Sequence, residues 1–159
     1  MKKYLWILFT LSLINGISCQ NKVDTRKEEE AIKAVIEADR AAYFKQDYNG
    51  VGDCWIKEPS SVKIWVDGQK ETKIVGWDNI NASQKEEAEN KSWDRNKSKV
   101  TFSNYLFDIA PNNAWVYHEA NWEVYSNNEV MNIKQGRIVI LKKVEGKWKY
   151  ALFMLYKKE

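Results

Sequence analysis

The chain has 159 residues, of which 25 are basic, 22 are acidic and 13% are aromatic, with one histidine and two cysteines. This length suits a single domain with its own hydrophobic core. The basic residues are scattered among acidic ones and form no run interleaved with aromatic residues, which argues against a nucleic-acid-binding protein.

The N-terminal segment has the order of an export signal, a basic start followed by the apolar run Tyr4–Ile14. That run is shorter than the ~20 apolar residues that a membrane span needs. Small residues stand before Cys19 at the positions that a signal peptidase accepts. We therefore expect residues 1–18 to be a signal peptide that is cleaved before Cys19.

The stretch "NGISCQNK" resembles a bacterial lipobox, in which the cysteine is lipidated. The resemblance implies a lipid anchor at Cys19, a tether at 19–27 and a single domain at 28–159. It places the protein in the cell envelope, held to the membrane through the lipid alone; a soluble periplasmic or secreted protein is the alternative. Lipidation leaves Cys54 as the only thiol, whereas without it a bridge between the two cysteines is conceivable. The apolar neighbours of Cys54 predict a small buried side chain and not a nucleophile.

A first helix is predicted from Glu28 to about Gln46, because apolar residues recur at three-four spacing without Gly or Pro. Asp39 falls in the middle of this apolar stripe. A carboxylate there pairs with a cation such as Arg137, lies at a frayed edge, or faces a water-filled pocket, since an unpaired buried charge costs several kcal/mol. In a pocket, burial would raise its pKa toward neutrality.

Turn chemistry predicts an irregular connection after this helix, from Asp47, Asn49, Gly50 and Gly52. A short hairpin follows, with strands Val62–Val66 and Thr72–Val75 around the turn Asp67-Gly68.

A second helix is predicted to open near Gly76, with Asp78 or Asn79 as its cap. Its apolar face is thin and is interrupted by Asn81 and Gln84. Such a helix covers a core only in part and leaves room for a cavity or a partner.

From Lys99 onward the apolar period is two, which predicts the strands Val100–Ile109, Ala114–Tyr125, Gly136–Lys143 and Lys147–Tyr156. His118 belongs to the predicted core face of the second strand, with Ala114, Val116, Ala120, Trp122 and Val124. A lone histidine among apolar residues is either a satisfied core residue or a proton-transfer group. The opposite face carries Trp115, Tyr117 and Tyr125, which form either a partner surface or an ordinary solvent-facing sheet.

The order of these elements predicts an α+β fold with helices on one face of a sheet. The stretches "EEEAIKAVIEADRAAYFKQD", "CWIKEPSSVKIW", "GWDNI", "AWVYHEANWEVY" and "QGRIVILKKVEGKWKYALF" resemble the nuclear-transport-factor-two-like superfamily, specifically its SnoaL-like secreted bacterial members. The resemblance covers nearly all of 27–156. It implies a curved antiparallel sheet wrapped around N-terminal helices into a cone with an open pocket, and commonly a homodimer packed through the sheets.

The resemblance also implies the residues of the pocket. Asp39 and His118 are the acid-base candidates, and the ligand-binding candidates are Tyr43, Trp55, Trp65, Trp77, Trp122 and Arg137. We expect a small apolar or amphipathic molecule as the ligand, bound without a cofactor. Two alternatives remain open: a cofactor-free isomerase, cyclase or hydratase that uses Asp39 or His118, and a dimeric interaction module.

No metal site is expected. One histidine and at most one free cysteine cannot build a structural zinc site. The acidic runs Glu28–Glu30 and Glu86–Glu89 are typical of solvated helix faces.

Overall fold

The structure is a computed structural model that describes residues 24–158. Cys19, the signal peptide and most of the tether predicted above lie outside the described residues. The elements are α1 (Thr25–Phe44), α2 (Tyr48–Asp53), β1 (Val62–Asp67), β2 (Lys70–Val75), α3 (Trp77–Glu89), β3 (Asp94–Ile109), β4 (Asn113–Ser126), β5 (Glu129–Val144) and β6 (Lys147–Lys157).

The six strands form one sheet in the order β2-β1-β6-β5-β4-β3. Neighbouring strands are antiparallel except β1 and β6, which are parallel. The core lies between the helices and one face of the sheet, where Ile32 and Ile36 of α1 join Val116, Val139 and Leu141 of the long strands. The predicted α+β class, an open curved sheet around N-terminal helices, is confirmed.

Helix α1 begins at Thr25, three residues before the predicted start, because the Asp24 side chain caps it by accepting a hydrogen bond from the backbone N–H of Lys27. Its first turn is also fixed to the sheet. Glu28 accepts hydrogen bonds from Lys143 Nζ at 2.7 Å and from Trp148 Nε1 at 2.6 Å. The prediction of a solvated acidic face is therefore wrong for Glu28.

Helix α2 replaces the irregular connection that was predicted for this part of the chain. Asp47 caps it by accepting a hydrogen bond from the Gly50 N–H at 3.0 Å. A Cβ on Gly50 would lie 2.9 Å from the Cβ of Ala42, so glycine lets α2 pack directly against the end of α1. Turn-forming residues here serve a close helix contact, which composition alone does not reveal.

Strand β3 starts at Asp94, earlier than predicted, and contains an irregularity between Ser103 and Leu106. Asn104 has a φ of +54°, a conformation that asparagine tolerates better than most residues. Two residues of β3 therefore stand opposite His118 on β4. The inward-facing side chains change from even to odd numbers at this bulge, which brings both Phe102 and Tyr105 to the core side.

The predicted core face of β4 is confirmed, with Ala114, Val116, His118 and Ala120 all buried. A second bulge lies between β5 and β6 at Ile140 and Leu141. It allows Tyr150 and Phe153 of β6 to face the same core although their spacing is odd. The two bulges thus decide which aromatic rings reach the interior.

Cys54 is buried, as predicted, with its sulfur 3.5 Å from the carbonyl oxygen of Gly50. Burial raises the pKa of its thiol to about 12, so the thiolate is not formed near neutral pH. Across residues 24–158, no helix combines the length and apolar character needed to cross a membrane.

Candidate functional site

A pocket of about 160 Å³ lies between the helices and the concave face of the sheet. Helix α1 contributes Asp39 and Tyr43, and α3 contributes Gln84 and Glu87. The full lining is Asp39, Arg40, Tyr43, Val51, Trp55, Lys63, Gln84, Glu87, Phe102, Trp122, Gln135, Arg137, Phe153 and Leu155. Aromatic walls with a few polar groups are the usual composition of a small-molecule site.

Asp39 lies in the pocket lining with no hydrogen bond or ion pair to its carboxyl group from residues 24–158. The ion pair with Arg137 that the sequence left open is not formed. Burial raises the pKa of Asp39 to about 6, against the smaller opposing effects of the positive charges of Arg137 and Lys63. The carboxyl group can therefore exchange a proton near neutral pH.

Arg137 projects from the inner face of β5 and is only 7% exposed. Its Nε and Nη2 donate to Gln135 Oε1 at 3.3 and 2.9 Å. The guanidinium lies 5.3 Å from the Phe102 ring and 5.4 Å from the rings of Trp122 and Phe153. Three aromatic faces thus hold a buried cation in the pocket wall.

Lys63 and Glu87 form an ion pair at the pocket wall, with 2.6 Å between Nζ and Oε1. The ion pair compensates both charges. The Glu87 carboxylate also accepts a hydrogen bond from Ser83 Oγ at 3.1 Å. Gln84, on the same helix, is different. It is 7% exposed, and its Oε1 is buried without a hydrogen-bond partner in the described part of the chain.

Trp122, Tyr43, Phe44 and Trp93 form a cluster of rings next to the pocket. Phe44 stacks on Trp122 at a centroid distance of 5.8 Å, and Tyr43 meets Trp122 edge-on at 6.3 Å. The Arg95 guanidinium lies 4.6 Å from the Trp93 ring centre and donates to the carbonyl oxygens of Glu87 and Asn90 at the end of α3. This clamp joins the end of α1, the end of α3 and the sheet at one side of the pocket.

His118 is fully buried but is not among the lining residues. It lies against Phe102 at 5.0 Å and stacks on Tyr105 at 5.3 Å. Neither ring nitrogen has a hydrogen-bond partner within residues 24–158. Burial, with a smaller effect of the positive charge of Arg137, lowers the pKa of His118 to about 3, so the ring is neutral.

The other predicted residues divide into two groups. Tyr43, Trp55, Trp122 and Arg137 line the pocket with Asp39. Trp65 and Trp77 do not. Trp65 lies two residues beyond Lys63 on β1, with the Lys63 ammonium 5.2 Å from its ring centre. The Trp77 ring packs against Gly52, where an added Cβ would come within 3.1 Å of it, so this tryptophan fixes α3 to α2.

The sequence reasoning missed several lining residues, including Lys63, Gln84, Glu87, Phe102 and Phe153. One signal was available: Gln84 interrupts the apolar face of α3. No such signal marked the ion pair of Lys63 and Glu87, which lie 24 residues apart. Among residues 24–158, no group of three or more His, Cys, Asp or Glu side chains is arranged to hold a metal ion.

No protein-family model matches the sequence, and no curated protein matches it either. Solved structures do match this chain. A candidate scytalone dehydratase from Novosphingobium aromaticivorans superposes with a TM-score of 0.71 at 12% identity, over 85% of this chain and 87% of that one. The chain has the nuclear-transport-factor-two-like fold.

Two further structures show the same fold. A ketosteroid isomerase-like protein from Erwinia carotovora atroseptica has a TM-score of 0.63 at 15% identity, over 84% of this chain and 98% of that one. A protein of unknown function with a cystatin-like fold from Nostoc punctiforme has a TM-score of 0.62 at 9% identity, over 83% and 92%. At these identities the likeness establishes the nuclear-transport-factor-two-like fold alone.

Proposed function

We propose that the protein binds a small apolar or amphipathic molecule in the pocket beside Asp39 and Arg137. The observation that carries this proposal is the combination of aromatic walls with polar groups in the lining that residues 24–158 leave unpaired. Among these described residues, the partly buried Asp39 carboxyl group has no hydrogen-bond or ion-pair partner, buried Gln84 has an unpaired oxygen, and the buried Arg137 cation has no carboxylate within ion-pair distance. Buried polar groups are normally paired, so a ligand that pairs them gains affinity and orientation.

The test is native mass spectrometry of the gently purified protein, followed by denaturing release of bound molecules. We expect a discrete small mass that Trp122→Ala reduces strongly, because Trp122 forms one wall of the pocket. Trp115→Ala is the matched control, since Trp115 lies on the opposite face of the same strand. A bare protein, or equal loss in both variants, would contradict tight binding in this pocket.

A second candidate function is acid-base catalysis without a cofactor, and the observation that favours it is the raised pKa of Asp39 in a pocket. The neighbouring structures include one described as a candidate dehydratase and one as ketosteroid isomerase-like. In this proposal Asp39 takes or gives the proton. His118 is the poorer candidate, because it is outside the pocket lining and is neutral at physiological pH.

Proton abstraction next to a carbonyl can be followed by NMR, as exchange of the α-hydrogens of a small ketone in deuterated water. Asp39→Asn should abolish the exchange, and His118→Leu should retain it if the variant folds. Exchange that persists in Asp39→Asn would rule out this role for the carboxyl group.

We also propose that the protein is exported and anchored in the cell envelope through a lipid on Cys19. The support is the order of basic, apolar and small residues up to the lipobox-like "NGISCQNK". Cys19→Ala should move the protein from the membrane fraction to the soluble fraction of cells. An unchanged distribution would contradict lipid anchoring.

Finally, we propose a homodimer that packs through the outer face of the sheet. Trp115, 40% exposed, is the register partner of Ile140, and Leu106, 60% exposed, is the partner of Tyr117. The outward face of an antiparallel sheet is normally polar. A second copy of the chain covers such a face through a two-fold, self-complementary contact.

A further inference from the structure

Arg137 is a buried charge whose nearest polar partner is an amide and not an acid. Its Nε and Nη2 share Gln135 Oε1, which also accepts from Trp122 Nε1 at 3.0 Å. The guanidinium has five N–H donors. Its other amino group, Nη1, has no hydrogen-bond partner within residues 24–158, and Arg137 forms part of the pocket lining. A desolvated cation with donors to spare is a receptor for an anion.

The charges around the pocket support an anion. The lining carries Arg40 and Asp39 from α1, Lys63 from β1, Glu87 from α3 and Arg137 from β5. Arg40 is paired with Glu37 at 2.6 Å, and Lys63 with Glu87 at 2.6 Å. Within the lining, Asp39 and Arg137 are the charges left without an ion pair. When Asp39 is protonated, the positive charge of Arg137 is uncompensated.

The size and walls of the pocket limit the body of the ligand. A cavity of about 150 Å³ lined by apolar side chains holds one benzene ring, and this pocket has a volume of about 160 Å³. Its walls beside Arg137 are the rings of Phe102, Trp122 and Phe153. A single flat ring or a short branched chain fits this space, whereas a steroid-sized molecule would remain largely outside.

Gln84 supplies an independent sign of a polar ligand group. It is more than nine-tenths buried in the pocket lining, with Oε1 unpaired. Such an acceptor costs free energy unless a ligand N–H or O–H reaches it.

We propose that the pocket selects a small carboxylic acid with a flat apolar body of about one ring, whose carboxylate binds Arg137. This inference rests on the proposed function and names the chemical class of its ligand. A carboxylate suits the planar guanidinium fork, and the aromatic walls suit the apolar body. Gln84 accepts a hydrogen bond from a hydroxyl or amine substituent. Inorganic phosphate lacks the apolar body and should bind poorly.

Asp39 makes the binding depend on pH. An ionised Asp39 repels the ligand carboxylate, and a protonated Asp39 does not. The bound anion therefore favours a protonated Asp39, and binding takes up a proton at neutral pH. The other charges that face the site, Lys63, Glu87 and Arg40, are held in ion pairs.

The experiment is isothermal titration calorimetry of the full-length protein with benzoate, benzamide and inorganic phosphate at pH 5.5 and 7.5. We expect benzoate to bind at least about tenfold more tightly than benzamide, which has the same shape without the charge. Benzoate should bind more tightly at pH 5.5 than at pH 7.5, and phosphate should not bind measurably.

Variants assign the effect to residues. Arg137→Gln should weaken benzoate at least about tenfold and leave benzamide little changed. Arg137→Lys keeps the positive charge and should weaken benzoate binding less. This variant keeps the proposal testable if Arg137→Gln does not fold. Asp39→Asn should tighten benzoate binding at pH 7.5 and remove the pH dependence of that binding. Lys142→Gln, an exposed cation on the same strand, is the matched control and should change nothing.

Benzoate binding that equals benzamide binding, or that survives Arg137→Gln, would overturn the inference. Binding of benzamide alone would overturn it as well, while leaving the proposed small-molecule function intact. If neither probe binds, the carboxylate inference fails, and the proposed function is then judged by its own test, the mass of a co-purified ligand.

Discussion

At the scale of single residues, the partly buried Asp39 and the fully buried His118 are ionisable groups whose effects on stability have opposite pH dependence. Burial raises the pKa of Asp39 to about 6 and lowers that of His118 to about 3. As pH falls below about 6, folded Asp39 takes up a proton before the unfolded chain does, which favours the fold. His118 takes up a proton in the unfolded chain below about pH 6.5, before it does so in the folded protein, and this disfavours the fold.

Asp39→Asn should stabilise the protein at pH 7.5, because the neutral amide removes the cost of a buried carboxylate. The raised pKa corresponds to at most about 3 kcal/mol, and contact with solvent in the pocket reduces this to about 1–2 kcal/mol. Urea unfolding at pH 7.5 and at pH 5 measures the difference in the free energy of unfolding between variant and parent. This difference should be smaller at pH 5. Asp67→Asn, at the exposed last residue of β1, is the control. A variant less stable than the parent at pH 7.5 would show that Asp39 has a structural partner in solution.

His118→Leu should remove one source of acid sensitivity. Because its folded pKa lies below the unfolded value, the neutral ring contributes full stability above about pH 6.5 and loses it progressively toward pH 3. Between pH 7 and 5 this amounts to about 2 kcal/mol in the free energy of unfolding. The chain has a single histidine, so the difference between the pH profiles of parent and variant isolates His118. Parallel profiles would mean that the ring is solvated or paired.

At the scale of elements, the attachment of α1 to the sheet positions Asp39 over the pocket. Glu28 in the first turn accepts from Lys143 of β5 and Trp148 of β6, and these hydrogen bonds lower the pKa of its carboxyl group. Ile32 and Ile36, on the following turns, are buried against the core. Asp39 comes one turn later on the same helix, so its place depends on this docking.

Glu28→Gln should destabilise the protein by about 1–2 kcal/mol, since it weakens two charge-assisted hydrogen bonds. The depressed pKa of Glu28 adds stability at neutral pH that is lost as pH falls through that pKa, below its ordinary value of 4.5. Thermal unfolding at pH 7 and 3.5 should show a difference at pH 7 that narrows at pH 3.5. Glu29→Gln, a neighbour in the same turn, is the control. If both substitutions destabilised the protein equally, the cause would be the negative charge in the first turn of α1 and not the hydrogen bonds of Glu28.

At the scale of the whole molecule, the sheet has one face in the core and an outer face that is partly apolar. Trp115, Ile140 and Leu106 are exposed on it, beside a polar group in which Glu119 accepts from Tyr117 Oη at 3.1 Å and from Asn104 Nδ2 at 3.0 Å. Gly136 lies under the ring of Tyr156, where an added Cβ would come within 2.2 Å of it. The outer face thus combines exposed apolar side chains with a hydrogen-bonded polar group.

Trp115→Ser and Leu106→Ser together should convert the proposed dimer into a monomer. The buried apolar area lost from each protomer would weaken association by several kcal/mol, because each large apolar side chain contributes ~1.5–3 kcal/mol when buried. Light scattering coupled to size-exclusion chromatography gives the mass over a range of concentrations. Met131→Ser is the control, because this exposed apolar residue of β5 is the register partner of Val124 and so lies on the opposite face of the sheet. A monomeric parent protein would refute the dimer itself.

Much of the fold could be predicted from local patterns. The period-two alternation of β4 assigned Ala114, Val116, His118 and Ala120 to the core, because successive side chains on a strand point to opposite faces. The three-four spacing of α1 likewise directed Asp39 inward. The pattern of β6 was harder, because the bulge near Leu141 shifts its inward positions by one residue.

The sequence by itself determined the α+β class, the core face of β4 and the inward direction of Asp39, since these follow from backbone periodicity within one element. Tertiary structure alone decided that Arg137 lies among Phe102, Trp122 and Phe153, that Lys63 meets Glu87, and that His118 stays outside the pocket lining. Those contacts join strands and helices far apart in the chain. They depend on sheet curvature and on bulges, which the period of a single element does not encode.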